Sequence, residues 1–309
     1  MKKILITGGA GFIASALAER LIRNEMNYVV IVDSLLTGLK ERLPSRQYKN
    51  WQFIKADVNR FADLSAIMVS YKFDYVFHYA AVVGVQRTLS HPVMVLNDIE
   101  GIRNILDLSK NTGVKCVYYA SSSEVYGEPV DLPQNEETTP LNSRLPYAVV
   151  KNVGESFLKS YHREYGLNYT IFRYFNTYGP RQSADFVVSR FIRAALSNKE
   201  ITIHGNGKQT RTFLFIDDNI EASVTAFDEE LFLNDVINVG HAKETSVLEL
   251  ARRIIRITKS ESKVIHHAPL KEGDMLRRVP DISKMKSLLS HELVSLNEGL
   301  KLTIASGNF

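Results

Sequence analysis

Cysteine is almost absent from this sequence. The 309 residues include one cysteine, Cys116, so an internal disulfide and a metal site built from several cysteines are both excluded. Such sparse use of cysteine suits a reducing compartment, and we therefore expect a cytoplasmic protein. Cys116 lies in the apolar run of residues 114–120, which predicts a buried and unreactive thiol.

Long apolar runs and blocks of like charge are also missing. No stretch of about 18 apolar residues is available to cross a bilayer, and the N-terminus passes from Met-Lys-Lys straight into an apolar strand, unlike a signal peptide. The 38 Lys and Arg residues nearly balance the 34 Asp and Glu residues, which leaves a net charge of +4. We therefore expect neither a membrane nor a nucleic acid as the main partner.

Short β-branched runs alternate with longer amphipathic segments in the first half of the chain, which predicts βαβ units around a parallel sheet. Apolar runs predict strands at residues 4–7, 29–33, 52–55, 75–79, 115–120 and 169–174, with a further short strand near 201–207. Helical spacing of apolar residues predicts helices at residues 14–24, 63–71, 95–112, 147–165 and 245–259.

A glycine-rich turn follows the first predicted strand. Gly8, Gly9 and Gly11 form this turn, and Phe12 and Ile13 open the helix after it. Glycine lets the backbone approach a pyrophosphate, which sits on the amino end of the helix. This strand, loop and helix predict a dinucleotide-binding site.

Asp33 ends the second predicted strand. An acid in this position can hold the ribose hydroxyls of a dinucleotide. No arginine follows it directly, and its negative charge would repel a 2′-phosphate. The cofactor is therefore expected to be NAD rather than NADP.

These patterns together predict an α/β fold with a doubly wound parallel Rossmann sheet and a smaller C-terminal α/β lobe that binds substrate. We assign residues 1–175 to the NAD-binding domain, to which segments near residues 212–240 return. Residues 176–309 are assigned to the smaller lobe. The chain contains no internal repeat and no long linker.

Tyr147 and Lys151 lie four residues apart on one face of a predicted helix. An ammonium near a phenol favours the phenolate, which could accept a proton from a hydroxyl group. Upstream, Ser122, Ser123 and Glu124 follow a predicted strand, at the end of a parallel sheet where such folds bind ligands. These five residues are the candidate catalytic groups.

Motifs across almost the whole chain resemble the extended short-chain dehydrogenase/reductase family of NAD-dependent nucleotide-sugar epimerases, dehydratases and decarboxylases. The matching pieces occur in family order and are TGGAGFI (7–13), Asp33, DV (57–58), HYAA (78–81), SSSEVYG (121–127), YAVVK (147–151), YFNTYGPR (174–181), GNGKQTR (205–211) and RVPD (278–281). The resemblance implies a nucleotide-diphosphate sugar as substrate and tightly bound NAD as cofactor.

The resemblance also implies roles for individual residues. Tyr147 would be the base, Ser122 would hydrogen-bond the sugar 4-hydroxyl, and Lys151 would hold the nicotinamide ribose. Further cofactor contacts are implied for Asp57, Val58, Ala80 and Ala81, with Asn97 positioning the lysine. Contacts with the nucleotide sugar are implied for Asn176, Arg181, His204, Arg211 and Arg278, although for His204 a plain surface position is an equal alternative.

The family shares a first step, oxidation of sugar C4 to a ketone, and diverges afterwards. The Ser123-Glu124 pair is similar to that of UDP-glucuronate decarboxylases and some GDP-sugar dehydratases, whereas hexose 4,6-dehydratases often carry Asp-Glu there. We therefore expect a lyase outcome assisted by Glu124, either dehydration or decarboxylation. A 4-epimerase with simple hydride return is the alternative, and a non-catalytic NAD-binding regulator is the alternative of another class.

Three further expectations concern other parts of the chain. His78 is predicted to be structural. Asp217 and Asp218 are predicted to begin a helix, and no metal site is expected. The helices near residues 95–112 and 152–165 resemble the pair through which the family forms dimers, so a homodimer is expected.

Overall fold

A seven-stranded parallel sheet forms the centre of the computed structural model, which describes residues 1–269 and 277–309. Its first six strands follow the apolar runs of the first half of the chain: β1 (Lys2–Thr7), β2 (Asn27–Asp33), β3 (Trp51–Lys55), β4 (Tyr75–His78), β5 (Cys116–Ser122) and β6 (Asn168–Tyr174). The remaining strands are β7 (Thr177–Tyr178), β8 (Ile201–His204), β9 (Thr210–Thr212), β10 (Leu214–Phe215), β11 (Asp235–Val239), β12 (Glu244–Ser246) and β13 (Val264–His267).

The order of strands in the sheet is β11-β6-β5-β4-β1-β2-β3. Neighbouring strands are parallel throughout, from the pairing of β2 with β3 at one end to that of β11 with β6 at the other. The chain order reverses between β1 and β4, and ligands bind at such a switch point in open α/β sheets. The predicted doubly wound α/β fold is confirmed.

Eleven α-helices surround the sheet or build the C-terminal part within the described residues. Those that precede β6 are α1 (Phe12–Leu21), α2 (Phe61–Tyr71), α3 (Val85–Ser90), α4 (Pro92–Leu96), α5 (Asp98–Thr112) and α6 (Pro146–Tyr165). Those that follow are α7 (Val187–Leu196), α8 (Ile216–Asp228), α9 (Val247–Thr258), α10 (Ser283–Lys286) and α11 (Leu296–Ala305).

Helices cover both faces of the sheet. The side chains of the strands therefore alternate between two hydrophobic cores. Ile4 and Ile6 of β1 face the core that includes α1 and α8, whereas Leu5 faces the core that includes α2, α5 and α6. Tyr118 and Tyr119 of β5 divide in the same way. The central strands are therefore mostly buried, and their parallel pairing brings their carboxyl ends to one edge of the sheet.

Three short two-stranded pairings lie outside the central sheet: β7 with β10, β9 with β12, and β8 with β13. The chain returns to the central sheet in between, since β11 pairs with β6 and α8 contacts α1.

Within the described residues, no helix is both long enough and apolar enough to cross a membrane.

Two helices of the structure differ from the helices that the sequence predicts. The predicted helix at residues 95–112 is interrupted at Asn97, where α4 ends and α5 begins. The predicted helix at 245–259 begins later, at Val247, because residues 244–246 pair with β9. Ser246 ends that strand, and its hydroxyl accepts the Glu249 N–H as the helix cap.

Two side chains predicted to be structural lie inside the sheet. Cys116 is buried, and burial raises the pKa of its thiol to about 12. His78 is buried in β4 with its Nδ1 atom 2.8 Å from the Thr7 hydroxyl, and burial lowers the pKa of the ring to about 3. Both groups therefore stay neutral near physiological pH, as their positions in apolar runs predict.

Candidate active site

A cavity of about 560 Å³ opens at the carboxyl ends of β1, β4, β5 and β6. It begins at the glycine turn after β1, passes the end of β4 and reaches Asn176 and Arg278 in the second half of the chain. The cavity therefore occupies the switch point of the sheet, and elements distant in sequence contribute to its wall.

The glycine turn forms one end of this cavity. Gly8 has a φ of +68°, and a Cβ atom on it would lie 2.6 Å from the backbone nitrogen of Ala80. Gly11 precedes the first residue of α1, and a Cβ there would lie 3.0 Å from the carbonyl oxygen of Gly8. The first turn of α1 carries no acidic residue. Its unpaired N–H groups therefore present a positive end to the cavity, which suits a pyrophosphate.

The buried Asp33 lies at the end of β2 beside the glycine turn. One carboxylate oxygen accepts the Ala10 N–H at 3.0 Å and the other accepts the Leu35 N–H at 2.7 Å. These bonds fix the carboxylate, and each oxygen keeps a further lone pair that can accept a ribose hydroxyl. The residues around this end of the cavity thus fit a dinucleotide with an unmodified adenosine ribose.

The remaining residues predicted to bind the cofactor also lie around this cavity, with one exception. Its wall includes Phe12, Ile13, Asp57, Val58, Ala80, Ala81 and Asn97. Gly9 is the exception, because it faces the core, where a Cβ atom would lie 2.4 Å from the Ile31 side chain. The absence of a side chain at Gly9 therefore serves the packing of the turn against β2.

Tyr147 lies in the first turn of α6, which begins at Pro146. Burial raises the pKa of its phenol well above its ordinary value; the charge of Glu124 adds to this effect, while a hydrogen bond with Ser122 opposes it. The expectation that Lys151 lowers this pKa is therefore corrected. Burial dominates the pKa of this phenol, and the Lys151 Nζ atom lies 5.7 Å from the centre of the Tyr147 ring.

Lys151 lies one turn further along α6 and is buried at 3% exposure. Its Nζ atom lies 5.0 Å from the centre of the Tyr119 ring. Burial lowers the pKa of Lys151 to about 8, and the negative charge of Asp98 opposes this shift. Lys151 is therefore an ammonium at neutral pH that loses its proton in mildly alkaline solution.

Ser122, Ser123 and Glu124 form the corner between β5 and a short 3-10 turn (Ser123–Tyr126). The Ser122 hydroxyl accepts the Glu124 N–H at 3.2 Å and so caps this turn. Arg278 donates to the Ser123 hydroxyl at 3.3 Å and lies 3.9 Å from the Glu124 carboxylate. A carboxylate and a buried guanidinium thus lie together in the wall of the cavity that Tyr147 lines.

The residues predicted to bind the nucleotide sugar are not all in one place. Asn176 and Arg278 line the cavity. The other three predicted contacts, Arg181, His204 and Arg211, lie outside its lining.

Arg181 lies against α1, outside the lining of the cavity, and its role in substrate binding stays a prediction. Its guanidinium is paired with Glu19 at 3.0 Å, and its backbone N–H is donated to the carbonyl of Asn308 at 2.6 Å. These contacts join α1 to the C-terminal end of the chain.

His204 and Arg211 belong to the short pairings of the C-terminal part. His204 ends β8, where its Nδ1 atom lies 3.2 Å from the Ala268 carbonyl oxygen. Arg211 lies in β9 and donates to the Thr210 carbonyl at 2.8 Å. Their roles in substrate binding stay predictions.

Several polar residues of the wall are missing from the predicted site residues, and three of them are Tyr79, Tyr174 and Asp98. Tyr79 and Tyr174 extend from the ends of β4 and β6, and their hydroxyls are joined by a hydrogen bond across the small Ala120. Asp98, the first residue of α5, is buried in the wall. Tyr79 and Tyr174 lie inside the motifs at residues 78–81 and 174–181, but the sequence assigns them no role, since their meeting depends on the pairing of strands.

The two acids at the start of α8 have a structural setting. Asp217 and Asp218 lie in its first turn, as predicted. Asp218 accepts a hydrogen bond from the Val294 N–H at 2.9 Å and lies 3.0 Å from His291 Nε2. Across residues 1–269 and 277–309, no group of three or more His, Cys, Asp or Glu side chains is arranged to hold a metal ion.

The chain is similar to nucleotide-sugar enzymes along nearly its whole length. A putative UDP-glucose 4-epimerase from Methanocaldococcus jannaschii is 36% identical over 306 residues, which are 97% of each chain. A UDP-N-acetyl-alpha-D-glucosaminuronate decarboxylase from Bacillus cytotoxicus is 36% identical over 319 residues, covering 98% of this chain and 97% of its own.

A solved structure agrees with these relatives. The UDP-glucuronic acid 4-epimerase from Bacillus cereus, in complex with UDP-glucuronic acid and NAD, superposes with a TM-score of 0.89 at 32% identity, covering 98% of both chains. Residues 4–240 match the NAD dependent epimerase/dehydratase family. The chain is therefore an NAD-dependent enzyme of the nucleotide-sugar epimerase/dehydratase family.

Proposed function

We propose that this protein oxidises C4 of a nucleotide-diphosphate sugar and then carries out a lyase step, with decarboxylation of a uronic acid favoured over dehydration. The observation that carries the proposal is the meeting of Ser122, Tyr147 and Lys151 with the Glu124–Arg278 pair in one cavity. The first three residues suit proton removal from a hydroxyl, and the charged pair suits chemistry at a second carbon.

The cofactor would be held by the glycine turn, Asp33 and Lys151. When bound, NAD accepts the hydride that leaves C4. Ser122 orients the sugar hydroxyl, and Tyr147 takes its proton. Because burial raises the pKa of Tyr147, the phenolate needs positive charge nearby, and the Lys151 ammonium supplies it as long as Lys151 keeps its proton.

The Glu124–Arg278 pair supports the lyase step. A ketone at C4 makes C5 acidic and weakens the bond between C5 and a carboxylate. A guanidinium binds carboxylates through paired hydrogen bonds, so Arg278 can orient a C5 carboxylate for loss as carbon dioxide. Departure of carbon dioxide leaves an electron pair at C5, and Glu124 would pass a proton from solvent to this carbon through a water molecule. Hydride return to C4 then completes the turnover.

Epimerisation at C4 is the second candidate. It needs only rotation of the keto sugar and hydride return to the opposite face, with no use for Glu124. The apolar Val82 and Val83 in the cavity wall favour it, because they leave room for rotation without polar anchors. The UDP-glucuronic acid 4-epimerase named above acts on a uronic acid as well, so Arg278 would then only bind the carboxylate.

Product masses from a panel of nucleotide sugars distinguish these reactions. The panel should include UDP-linked glucose, N-acetylglucosamine and their uronic acids. Loss of 44 Da from a uronic acid is the expected result, since it equals carbon dioxide. Loss of 18 Da would indicate dehydration, and an isomer of unchanged mass would replace the lyase proposal with epimerisation.

Glu124→Gln tests the second step alone. We expect C4 oxidation to continue, seen as reduction of bound NAD at 340 nm, while release of the lyase product falls by about 100-fold. Glu128→Gln is the matched control, because Glu128 is an exposed carboxylate just after the same turn. Equal product release by the two variants would remove Glu124 from the mechanism.

A non-catalytic regulator would keep the cofactor site without turnover. Tyr147, Lys151 and Ser122 are all retained in the cavity, which favours an enzyme. Tight NAD binding together with no change in any sugar of the panel would support the regulator instead.

We further propose a cytoplasmic homodimer. The face formed by α4 and α6 exposes Val93 at 70% and Leu96 at 42%, and Val153 and Phe157 line a shallow surface groove on α6. A second copy of this chain would bury these apolar side chains. Light scattering should report a dimer that Val93→Glu dissociates, while Val69→Glu, on the exposed face of α2, should leave it intact.

A further inference from the structure

Asp98 is a carboxylate buried in the wall of the cavity. It is the first residue of α5 and is 8% exposed. One carboxylate oxygen accepts the Val82 N–H at 2.7 Å, and the other accepts the Asn59 side-chain amide at 3.4 Å. Asp98 and Lys151 both line the same cavity, from α5 and α6 respectively.

These hydrogen bonds join two loops that both line the cofactor region. Asn59 belongs to the loop after β3, with Asp57 and Val58, and Val82 belongs to the loop after β4, with Ala80 and Ala81. One side chain at the start of α5 therefore holds together two loops that follow different strands.

The same face of α5 seats the first of these loops at two further points. Asn104 donates its side-chain amide to the Val58 carbonyl at 2.9 Å. At Gly101, a Cβ atom would lie 2.4 Å from the Asn59 side-chain oxygen. Residues 98, 101 and 104 follow helical spacing on one face, so the loop and the helix fit closely.

The hydrogen bonds alone do not require a charge at residue 98. An asparagine there could accept the Val82 N–H and donate to Asn59, whose side-chain oxygen is buried without a partner in the described structure. Burying a carboxylate costs more free energy than burying an amide. The carboxylate must therefore have a use beyond holding the two loops.

Lys151 provides that use. Burial disfavours its ammonium form, and the charge of Asp98 favours it. The other groups around Lys151 do not offset the effect of burial on its pKa. His78 is neutral, and the rings of Tyr119 and Tyr147 carry no charge in their ordinary forms. Asp57 also acts on Asp98 and repels its charge.

We propose that Asp98 is a positioning residue that joins the two cofactor loops and supplies the negative charge that keeps Lys151 an ammonium. It acts through Lys151 and the loops and touches no reacting atom. Its consequence for turnover rests on the proposed function, whereas its consequence for NAD binding does not. Loss of the charge should narrow the pH range of activity, and loss of the hydrogen-bond acceptors should weaken cofactor binding at every pH.

Asp98→Asn removes the charge with little change in shape, and Asp98→Glu keeps the charge. Both should be compared with Glu100→Gln, which removes a carboxylate from the same first turn of α5 at an exposed position. The pH profile of kcat/KM is measured with the sugar found in the panel. The dissociation constant of NAD is measured by calorimetry across the same pH range on protein stripped of cofactor.

For Asp98→Asn we expect the alkaline fall of kcat/KM to move toward acid by about one pH unit, with nearly unchanged activity on the acid side. The rise of the NAD dissociation constant at alkaline pH should move in the same direction, because a neutral lysine binds the ribose and its phosphates less well. Glu100→Gln should match the wild type in both profiles, and Asp98→Glu should stay close to it.

Unchanged pH profiles in Asp98→Asn would overturn the proposal, as would an equal shift in Glu100→Gln. If the wild type turns over no nucleotide sugar, the proposed function fails, but the NAD measurements still decide the role of Asp98. If Asp98→Asn does not fold, Asp98→Glu decides the matter. Asp98→Glu keeps the charge, so its pH profile of kcat/KM should stay in place. A shift of this profile toward acid as large as that expected for complete loss of the charge would overturn the proposal.

Discussion

The two halves of the cavity are built in different ways. The cofactor half, around the glycine turn, Asp33 and residues 57–59 and 80–83, consists mainly of backbone and of short side chains next to strand ends. The substrate half, around residues 122–124, Asn176 and Arg278, depends on side chains from separate segments, and Arg278 reaches Ser123 across 155 positions of the chain.

This difference explains why a dinucleotide site can be recognised from sequence more surely than a sugar site. The backbone of the cofactor half cannot vary, because a Cβ atom at Gly8 would collide with Ala80. In the substrate half, an arginine can reach the cavity or turn away from it. Arg278 reaches it, whereas Arg181 pairs with Glu19.

Tyr147→Phe should have the largest effect and should separate the two halves. The variant loses the group that takes the proton from the sugar, so we expect C4 oxidation to fall by about 1000-fold. NAD binding should be unchanged, because the ring remains. Stopped-flow absorbance of bound NAD measures the first quantity and calorimetry the second.

The control is Tyr161→Phe, which removes a phenol from the same helix where it bonds Asp107 at 2.8 Å. Full activity in Tyr147→Phe, or an equal loss in the control, would remove Tyr147 as the base.

Gly8→Ala should disrupt the cofactor half. The added Cβ atom would lie 2.6 Å from the Ala80 nitrogen, so the turn must shift, and we expect NAD affinity to fall by roughly 100-fold, about 2.7 kcal/mol. Gly113→Ala is the matched control, since Gly113 also has a positive φ but no atom within 4 Å of its added Cβ. Similar NAD affinity in the two variants would mean that the close contact at Gly8 does not govern cofactor binding.

A pair of arginine variants tests the substrate half. Arg278→Met removes a buried guanidinium from the cavity, and we expect KM for the sugar to rise by about 10- to 100-fold. Arg181→Met removes an exposed ion pair with Glu19, and KM should change by less than about threefold. Steady-state kinetics measure both. A larger effect at Arg181 would mean that this side chain leaves Glu19 when substrate binds.

The smallest effect that we expect is the change of kcat/KM with pH near neutrality. Lys151 has a pKa of about 8, below its ordinary value, so its ammonium is present at lower pH and lost as pH rises through that value. We expect kcat/KM to be about half its maximum near pH 8 and to fall about tenfold per further unit. A profile that stays level to about pH 10 would show that Lys151 does not need its charge or that bound NAD raises its pKa.

The strands of the first half could be predicted well because most of them are short apolar runs buried on both faces, although the edge strand β3 is only partly buried. Asp33 ends β2 as predicted, whereas β5 extends to Ser122, two residues beyond the predicted end at residue 120. The break at Asn97 could not be predicted, because apolar spacing continues through it. Asn97 itself keeps right-handed helical angles, and Asp98 after it accepts the Val82 N–H in the cavity wall.

The sequence by itself determined the α/β fold, the glycine turn and the Tyr147–Lys151 pair, because each depends on residues close together in the chain. Tertiary structure alone decided which distant side chains share the cavity: Arg278 with Glu124, and Asp98 with Lys151. It also reversed the expected shift in the pKa of Tyr147. The physical reason is that burial and long-range charge depend on the surrounding elements, which a local motif does not contain.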